Sequence, residues 1–319
     1  MYRLFSEAAY DFIAMRRRAY VVSGLSLTVM FVFALVWQFS RGSWLNYGVD
    51  FSGGTLVQVA FSQPTTVAQV RAAIEPVLPG SQISRFGEQD GFIIRTPVVG
   101  ETTSGAAEQV PEILAANFPA GTFTVERTEA VGAKVGGELQ TRAALAILLS
   151  FAATLVYLAF RFEWRFGLAA VIATAHDTIL TLGFISMLRL DVALPTVAAV
   201  LTIVGYSLND TIIIFDRIRE NLHGPGRRQD LVGVLNRSIN ETLPRTVLTV
   251  GTTLVTLLAL TLFGGAIIRD FGLIMIVGIV LGTYSSIFVA APALREIERR
   301  WPREHKKPHR ATAPARAGV

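Results

Sequence analysis

Six apolar runs of about 20 residues constrain this chain more than any other feature of its sequence. A helix of that length and polarity crosses the hydrocarbon core of a bilayer. Hydrophobic residues make up 51% of the chain and charged residues only 17%, a composition that excludes an ordinary soluble protein. The sequence therefore predicts a polytopic α-helical membrane protein. The six predicted transmembrane helices cover residues 19–39, 141–160, 166–188, 193–215, 243–263 and 271–293.

Basic residues indicate how these helices are oriented. Lysine and arginine are enriched in cytoplasmic loops. They cluster before the first helix, between the second and third, between the fourth and fifth, and after the sixth. Both termini, residues 1–18 and the basic tail 296–319, are thus predicted to be cytoplasmic, and the tail is expected to be disordered. Because these loops also account for the net charge of +5, we expect no nucleic-acid binding.

Residues 40–138 separate the first two helices and, in this orientation, lie on the outer side of the membrane. The apolar pattern there changes to that of short soluble elements. The predicted order is a strand (Thr55–Phe61), a helix (Thr66–Leu78), a hairpin (Gln82–Phe86 and Gly91–Thr96, turning around residues 89–91), a helix (Ser104–Phe118) and a strand (Thr122–Arg127). This β-α-β-β-α-β order predicts a small α+β domain of the ferredoxin-like type, followed by a five-helix bundle over residues 139–295.

Three ionisable residues interrupt the apolar runs: Asp177, Asp210 and Arg245. Each is a candidate functional residue, because an Asp or Arg at the centre of a membrane helix costs roughly 2.5 to 3.5 kcal/mol. Polar residues share their helical faces, and together the three stripes predict a hydrated path through the bundle interior. The alternative is that the threonines only hydrogen-bond neighbouring helices. The polar neighbours are Thr174, Thr178 and Thr181 near Asp177, Thr202, Tyr206, Ser207, Asn209 and Thr211 near Asp210, and Thr249, Thr252 and Thr256 after Arg245.

Asp210 and Arg245 are predicted to lie in the same, cytoplasmic leaflet, counting about 1.5 Å of rise per residue. An ion pair between them is therefore plausible on geometric grounds. A carboxylate whose charge state depends on a movable cation is the minimal part of a proton relay, and we predict that role for this pair. A static structural ion pair is the alternative.

Two glycine-containing motifs have expected structural roles. Asp50, Gly53 and Gly54 follow the first helix and predict a tight junction with the soluble domain, where glycine permits unusual backbone torsions. Gly278 and Gly282 form a GxxxG pair, followed by Ser285 and Ser286, which predicts close helix packing.

No metal site is expected in this chain. There is no cysteine, and His223, His305 and His309 lack ligand spacing. His176 is adjacent to Asp177 but is predicted to point about 100° away from it around the helix, against a neighbouring helix, so that the two should not converge on one metal or proton.

Several segments together resemble the SecF family of bacterial protein-export membrane proteins. They are GVDFSGG at 48–54, VGAKVGGEL at 131–139, HDTILTLG at 176–183, LTIVGYSLNDTIIIFDRIRENL at 201–222, INETLPRT at 239–246 and GTYSSIFVAAP at 282–292. In that family the relay aspartate falls on Asp210 and its partner arginine on Arg245. The family usually has Gln-Thr-Leu-Ser before this arginine, whereas Glu241 and Pro244 stand here. Glu241 is therefore a competing partner for Arg245, and Pro244 is expected in the first turn of its helix.

The resemblance implies an inner-membrane subunit of RND-superfamily architecture that pairs with SecD and is not an enzyme. Its implied function is to use the proton motive force, with protons as the coupling ion and no other cofactor, to promote preprotein export. The implied partners are SecD, the SecYEG translocon, YajC, YidC and the translocating preprotein. Two alternatives stay open: a passive scaffold that joins SecD to the channel, and an intramembrane aspartyl protease using Asp177 and Asp210.

Overall fold

A computed structural model describes residues 9–86, 90–97, 104–223, 230–264 and 266–302. Within these residues, six helices are long and apolar enough to cross a membrane, so the prediction of a polytopic helical membrane protein is confirmed. The turn predicted around residues 89–91 lies partly outside the described residues. The tail beyond residue 302, with His305 and His309, lies outside them entirely.

The first membrane helix, α1 (Arg16–Arg41), ends at Gly42, whose φ of 75° is left-handed and whose N–H donates to Gln38 O. A short strand, β1 (Asn46–Tyr47), and a single helical turn, α2 (Val49–Ser52), then lead into the soluble domain.

In its described residues, the soluble domain has four strands and two helices. In order they are β2 (Gly54–Phe61), α3 (Val67–Ile74), β3 (Gln82–Phe86), β4 (Gly91–Thr96), α4 (Ser104–Asn117) and β5 (Phe123–Val131). The sheet has the order β3-β4-β2-β5, and each neighbouring pair is antiparallel. Strand residues Val57, Phe92 and Ile94 alternate onto the face that packs against Ile74 of α3 and Leu114 of α4, so this domain has its own apolar core.

The remaining helices form the membrane bundle. They are α5 (Ala133–Arg161), α6 (Trp164–Met187), α7 (Leu194–His223), α8 (Leu231–Phe263), α9 (Ala266–Ser285) and α10 (Ala291–Arg300), with a two-residue strand, β6 (Asp191–Val192), between α6 and α7. Strand β6 pairs in parallel with β1. A π-helical turn, Ser286–Ala290, joins α9 to α10, and these three segments make one continuous span. Pro292 contributes to this irregularity, because it has no amide hydrogen to donate to the preceding turn.

Several helices are longer than predicted, because hydropathy detects only their apolar part. Helix α8 begins at Leu231 rather than near residue 243, which places Pro244 inside the helix and makes the first-turn prediction wrong. Residues 296–300, predicted as part of a disordered tail, belong to α10. Strand β5 continues to Val131, and only Gly132 separates it from α5.

Burial separates the helices into a centre and a periphery. In the apolar stretches of α6, α7 and the α9–α10 span, 61%, 50% and 50% of residues are buried, against 6% in α1, 6% in α5 and 17% in α8. The centre of the bundle is therefore made by α6, α7 and α9, and it is there that two carboxylates lie.

Candidate functional site

Asp210 is buried in the bundle centre, with 5% of its surface exposed. It accepts hydrogen bonds from two hydroxyls on two other helical segments. Thr246 Oγ1 of α8 donates to Oδ1 at 2.7 Å, and Ser286 Oγ, at the start of the π-helical turn, donates to Oδ2 at 2.7 Å. The predicted relay aspartate is thus bound by neutral donors that connect three elements of the bundle.

Arg245 does not form the expected ion pair with Asp210. It is exposed, and across the described residues no ion pair within 4.0 Å joins the two side chains. The reason is helical geometry, since consecutive residues are about 100° apart and it is Thr246 that faces Asp210. Glu241 is not the competing partner either. It binds Arg217 at 2.6 Å and Arg237 at 2.8 Å.

Asp177 is the second buried carboxylate, with 1% of its surface exposed. Its Oδ2 accepts hydrogen bonds from Ser207 Oγ of α7 at 2.6 Å and from Ser285 Oγ of α9 at 2.5 Å. Its Oδ1 lies 2.9 Å from Nδ1 of His176. The prediction that His176 points away from Asp177 is therefore wrong. The two side chains leave the helix in different directions but bend toward each other, while the imidazole also stacks on Tyr284 at 6.5 Å between ring centroids.

The threonine stripe of α8 lies on the outside of the chain. Thr249, Thr252 and Thr256 are exposed, and each hydroxyl donates to a carbonyl of its own helix. On α7, Thr202 and Asn209 are exposed too. The three polar stripes therefore do not face one interior path within this chain. The sequence pattern identified polar faces correctly, but only packing decides whether a face turns inward.

The predicted polar residues of α6 and α7 make two kinds of hydrogen bond, within their own helix and between helices. Thr174 and Thr178 are buried and donate to carbonyls one turn earlier, at 3.0 and 2.9 Å. Tyr206 is half-buried, and its hydroxyl lies 3.2 Å from that of Thr253 on α8. In these two helices the polar contacts are mostly interhelical or local bonds of the kind that stabilise membrane bundles.

Gly278 and Gly282 lie where α9 approaches α7 most closely. A Cβ at Gly278 would overlap the side chain of Ile203, and one at Gly282 would lie 3.0 Å from Cβ of Ser207. Ser207 is also a donor to Asp177. The missing side chain at Gly282 therefore permits the helix separation at which Ser207 and Ser285 reach the same carboxylate oxygen.

Asp50, Gly53 and Gly54 form the junction between membrane and soluble parts. Asp50 Oδ2 accepts from the backbone N–H of Leu194, at the start of α7, at 2.9 Å. Gly53 and Gly54 have φ of 74° and 121°, which disfavour a side chain. A Cβ at Gly53 would lie 2.7 Å from the Cα of Ala133, and one at Gly54 would overlap the carbonyl of Thr96. The two glycines thus allow the start of α5 and the end of β4 to pack directly against the backbone of residues 53 and 54.

A charged cluster that the sequence analysis missed reinforces this junction. Arg95 of β4 forms an ion pair with Asp191 of β6, and Asn46 Nδ2 of β1 donates to the same carboxylate at 2.5 Å. Burial lowers the pKa of the Arg95 guanidinium, and the nearby Asp270 carboxylate opposes that shift. The only sequence signal was an acid in a short outer loop. Its partner lies far away in the chain, on a strand.

The described residues contain no group of three or more histidines and acids close enough to hold a metal ion. The absence of a cofactor stays a prediction.

Two family models match this chain. The model described as protein export membrane protein SecD/SecF, C-terminal, matches residues 112–300, and the SecD/SecF GG motif matches residues 42–65. The chain belongs to the SecF family. The GG-motif match covers the Gly53–Gly54 junction, and the larger match covers both carboxylates of the bundle centre.

Whole-chain relatives support this membership. The protein translocase subunit SecF of Gemmatimonas aurantiaca is 47% identical over 310 residues, which cover 95% of this chain and 91% of the relative. The SecF subunit of Desulfurispirillum indicum is 42% identical over 92% of this chain and 94% of the relative.

Solved structures show the same fold. The crystal structure of SecDF from Thermus thermophilus, described as a translocon-associated membrane protein, matches 94% of this SecF-family chain with 36% identity and a TM-score of 0.81. A crystal structure of SecDF in a super-membrane-facing form gives a TM-score of 0.65 at the same identity. The chain spans 40% of the length of each of these two proteins.

Proposed function

We propose that this SecF-family chain pairs with SecD in an accessory complex of the protein translocase and uses the proton motive force to promote preprotein export. Asp210 is proposed to bind and release the coupling proton, with Arg245 as its movable partner. In this proposal the chain is not an enzyme and uses no cofactor other than protons.

The arrangement around Asp210 carries the proposal. Its carboxylate is buried and accepts hydrogen bonds from the hydroxyls of Thr246 and Ser286, and within the described part of the chain it forms no ion pair shorter than 4.0 Å. A buried charge without a counter-ion is costly, whereas a protonated carboxyl is not. A change of protonation therefore alters the contacts between α7, α8 and the π-helical turn, which provides a physical link from proton binding to helix movement.

The outward polar stripe of α8, defined as Arg245, Thr249, Thr252 and Thr256, supports an assembly with SecD. An arginine and a row of threonines are poorly suited to face lipid, because charged side chains in membranes almost always face a bundle interior or water. We propose that SecD covers this stripe, so that the hydrated path predicted from the sequence forms between the two subunits. The resulting unit would have the RND-type twofold arrangement.

The proposed location is the bacterial inner membrane, with both termini cytoplasmic. The soluble domain is proposed to be a periplasmic domain of the ferredoxin-like type, which the antiparallel β3-β4-β2-β5 order supports. SecYEG, YajC and YidC are the further partners proposed from the family resemblance, together with the translocating preprotein.

The decisive experiment replaces Asp210 by Asn and measures preprotein export driven by the proton motive force. We expect loss of the proton-dependent stimulation, while the variant still assembles with SecD, because Asn keeps the size of the side chain but takes up no proton. The matched control is Asp216→Asn on the same helix, since the Asp216 side chain is 43% exposed and pairs with Arg161 at 3.2 Å. Wild-type export by Asp210→Asn would disprove the relay.

The polar stripe also favours a second function, that of a passive scaffold. A scaffold predicts that export tolerates Asp210→Asn but fails when SecD docking is blocked, for instance by Thr252→Trp. The relay predicts that both substitutions abolish stimulation and that only Thr252→Trp abolishes assembly. The protease alternative has less support, because Asp177 and Asp210 bind different serines and no hydrogen bond joins the two described carboxyl groups.

A further inference from the structure

Two carboxylates on different helices are bound by consecutive serines of a third. Ser285 Oγ donates to Asp177 on α6, and Ser286 Oγ donates to Asp210 on α7. Both serines are fully buried. One helical turn therefore carries the hydroxyls that bind both acids of the bundle centre. A displacement of that turn at one acid changes the hydrogen bond to the other.

These serines lie where α9 changes into the π-helical turn, Ser286–Ala290. Single π-helical turns are rare and occur frequently at functional sites. Each serine hydroxyl also has a second acceptor in its own helix, Gly282 O at 3.1 Å for Ser285 and Thr283 O at 2.9 Å for Ser286. Because a hydroxyl has one proton to donate, each serine donates to its acid or turns to its own helix.

Asp177 also lies beside a group that Asp210 lacks, the imidazole of His176. Nδ1 of His176 is 2.9 Å from Oδ1 of Asp177, and its Nε2 is buried with no hydrogen-bond partner among the residues that the structure describes. If Nδ1 carries the ring proton, Nε2 is an unoccupied proton acceptor. Among the described residues, the groups that contact this pair from other elements are Ser207 of α7 and Ser285 and Tyr284 of α9, and of these Tyr284 alone is titratable.

We propose that His176 and Asp177 form a second proton-binding site, coupled to Asp210 through Ser285 and Ser286. The proposal rests on the proton-driven function proposed above and adds a site to it. With a neutral imidazole and an ionised carboxylate, the pair carries one negative charge. It becomes neutral when it takes up one proton, on Nε2 of His176 or on the Asp177 carboxyl. The serine hydroxyls then have a weaker acceptor in Asp177, and their rearrangement changes the hydrogen bonding available to Asp210.

Infrared spectroscopy of the full chain in lipid vesicles tests this directly. Carboxylic-acid, carboxylate and imidazole ring bands are followed through a pH titration of protein labelled with ¹³C at the aspartate side-chain carboxyl. We expect Asp177→Asn to remove or shift a pH-dependent band, and Asp210→Asn to move the titration midpoint of the Asp177–His176 pair by about one pH unit, as for interacting sites. Ser286→Ala should abolish that movement.

The matched control is Thr283→Val on the same helix. It removes a half-buried hydroxyl whose one hydrogen bond within the described residues is to Ile279 O. It should leave both the bands and their coupling unchanged. The second-site proposal fails if the wild-type and Asp177→Asn spectra are the same at every pH, or if Ser286→Ala leaves the coupling intact. The label separates aspartate bands from glutamate bands, and His176→Gln, which leaves the Asp177 carboxyl in place, is a second variant in which the pH-dependent band should shift. The infrared titration tests the second site alone. The relay is tested separately by the export assay, where normal export by Asp210→Asn would show that it fails.

Discussion

Asp177 and Asp210, in the centre of the bundle, differ from Asp191, at the junction with the soluble domain, in what binds them. The first two accept hydrogen bonds from serine and threonine hydroxyls, and Asp177 also contacts a histidine. Asp191 is bound by the guanidinium of Arg95. A carboxylate with a fixed cation keeps its charge and its position, whereas one bound by hydroxyls has room to change protonation. In the proposed function, the junction would therefore be the fixed part of the molecule, and the bundle centre would be the part that responds to protons.

The backbone contact of the junction gives the largest expected effect. Gly53→Ala combines a left-handed φ of 74° with a Cβ that would lie 2.7 Å from backbone of α5. We expect the local free energy of opening at β2 and α5, measured by hydrogen exchange, to fall by about 3 kcal/mol.

Gly132→Ala is the matched control, because its φ is −66° and a Cβ there meets no atom within 4 Å. Because Gly132 is the N-cap of α5 and alanine caps a helix less well than glycine, this substitution should lower the opening free energy by no more than about 1 kcal/mol. Equal effects of the two substitutions would show that the junction is not the rigid part of the molecule.

The fixed ion pair of the junction gives the next effect. Asp191→Asn leaves the Arg95 side chain, which is 16% exposed, without its anion. The free-energy cost of leaving this arginine unpaired should lie between the costs for an exposed and for a fully buried ion pair. We therefore expect the opening free energy of β4 to fall by about 2 kcal/mol.

The comparable exposed pair is Arg85–Asp90, in which the arginine side chain is 60% exposed. Asp90→Asn should therefore lower the same free energy by at most about 1 kcal/mol. If the two substitutions had the same small effect, the Arg95–Asp191 pair would not hold the domain in place.

The bundle centre should give the smallest effect on stability. Asp177→Asn keeps a carbonyl oxygen for Ser207 and Ser285 and supplies an amide that donates to His176, so no buried polar group loses its partner. We expect the free energy of unfolding in detergent to change by less than about 1 kcal/mol. A loss as large as that of Asp191→Asn would mean that Asp177 is a permanently charged structural group, and the contrast between the two regions would disappear.

The sequence predicted much of the fold and the identity of the two central acids. Long apolar runs specify membrane helices, and the cost of an acid in hydrocarbon distinguishes Asp177 and Asp210 without any structure. The soluble strands Gln82–Phe86 and Gly91–Thr96 also lie where alternation predicted them. Helix ends were less accurate, since the polar extension of α8 back to Leu231 has no hydropathy signal.

By itself, then, the amino-acid sequence determined the number of membrane helices, the position of the soluble domain and which acids are unusual, because each depends on local composition and period. Only the tertiary structure decided that the α8 threonines face outward, that Arg245 is exposed while Thr246 bonds to Asp210, and that Ser285 and Ser286 contact one acid each. Those facts depend on how helices rotate about their axes when they pack. That rotation is set by contacts between residues far apart in the chain, such as Gly282 with Ser207, which no local pattern records.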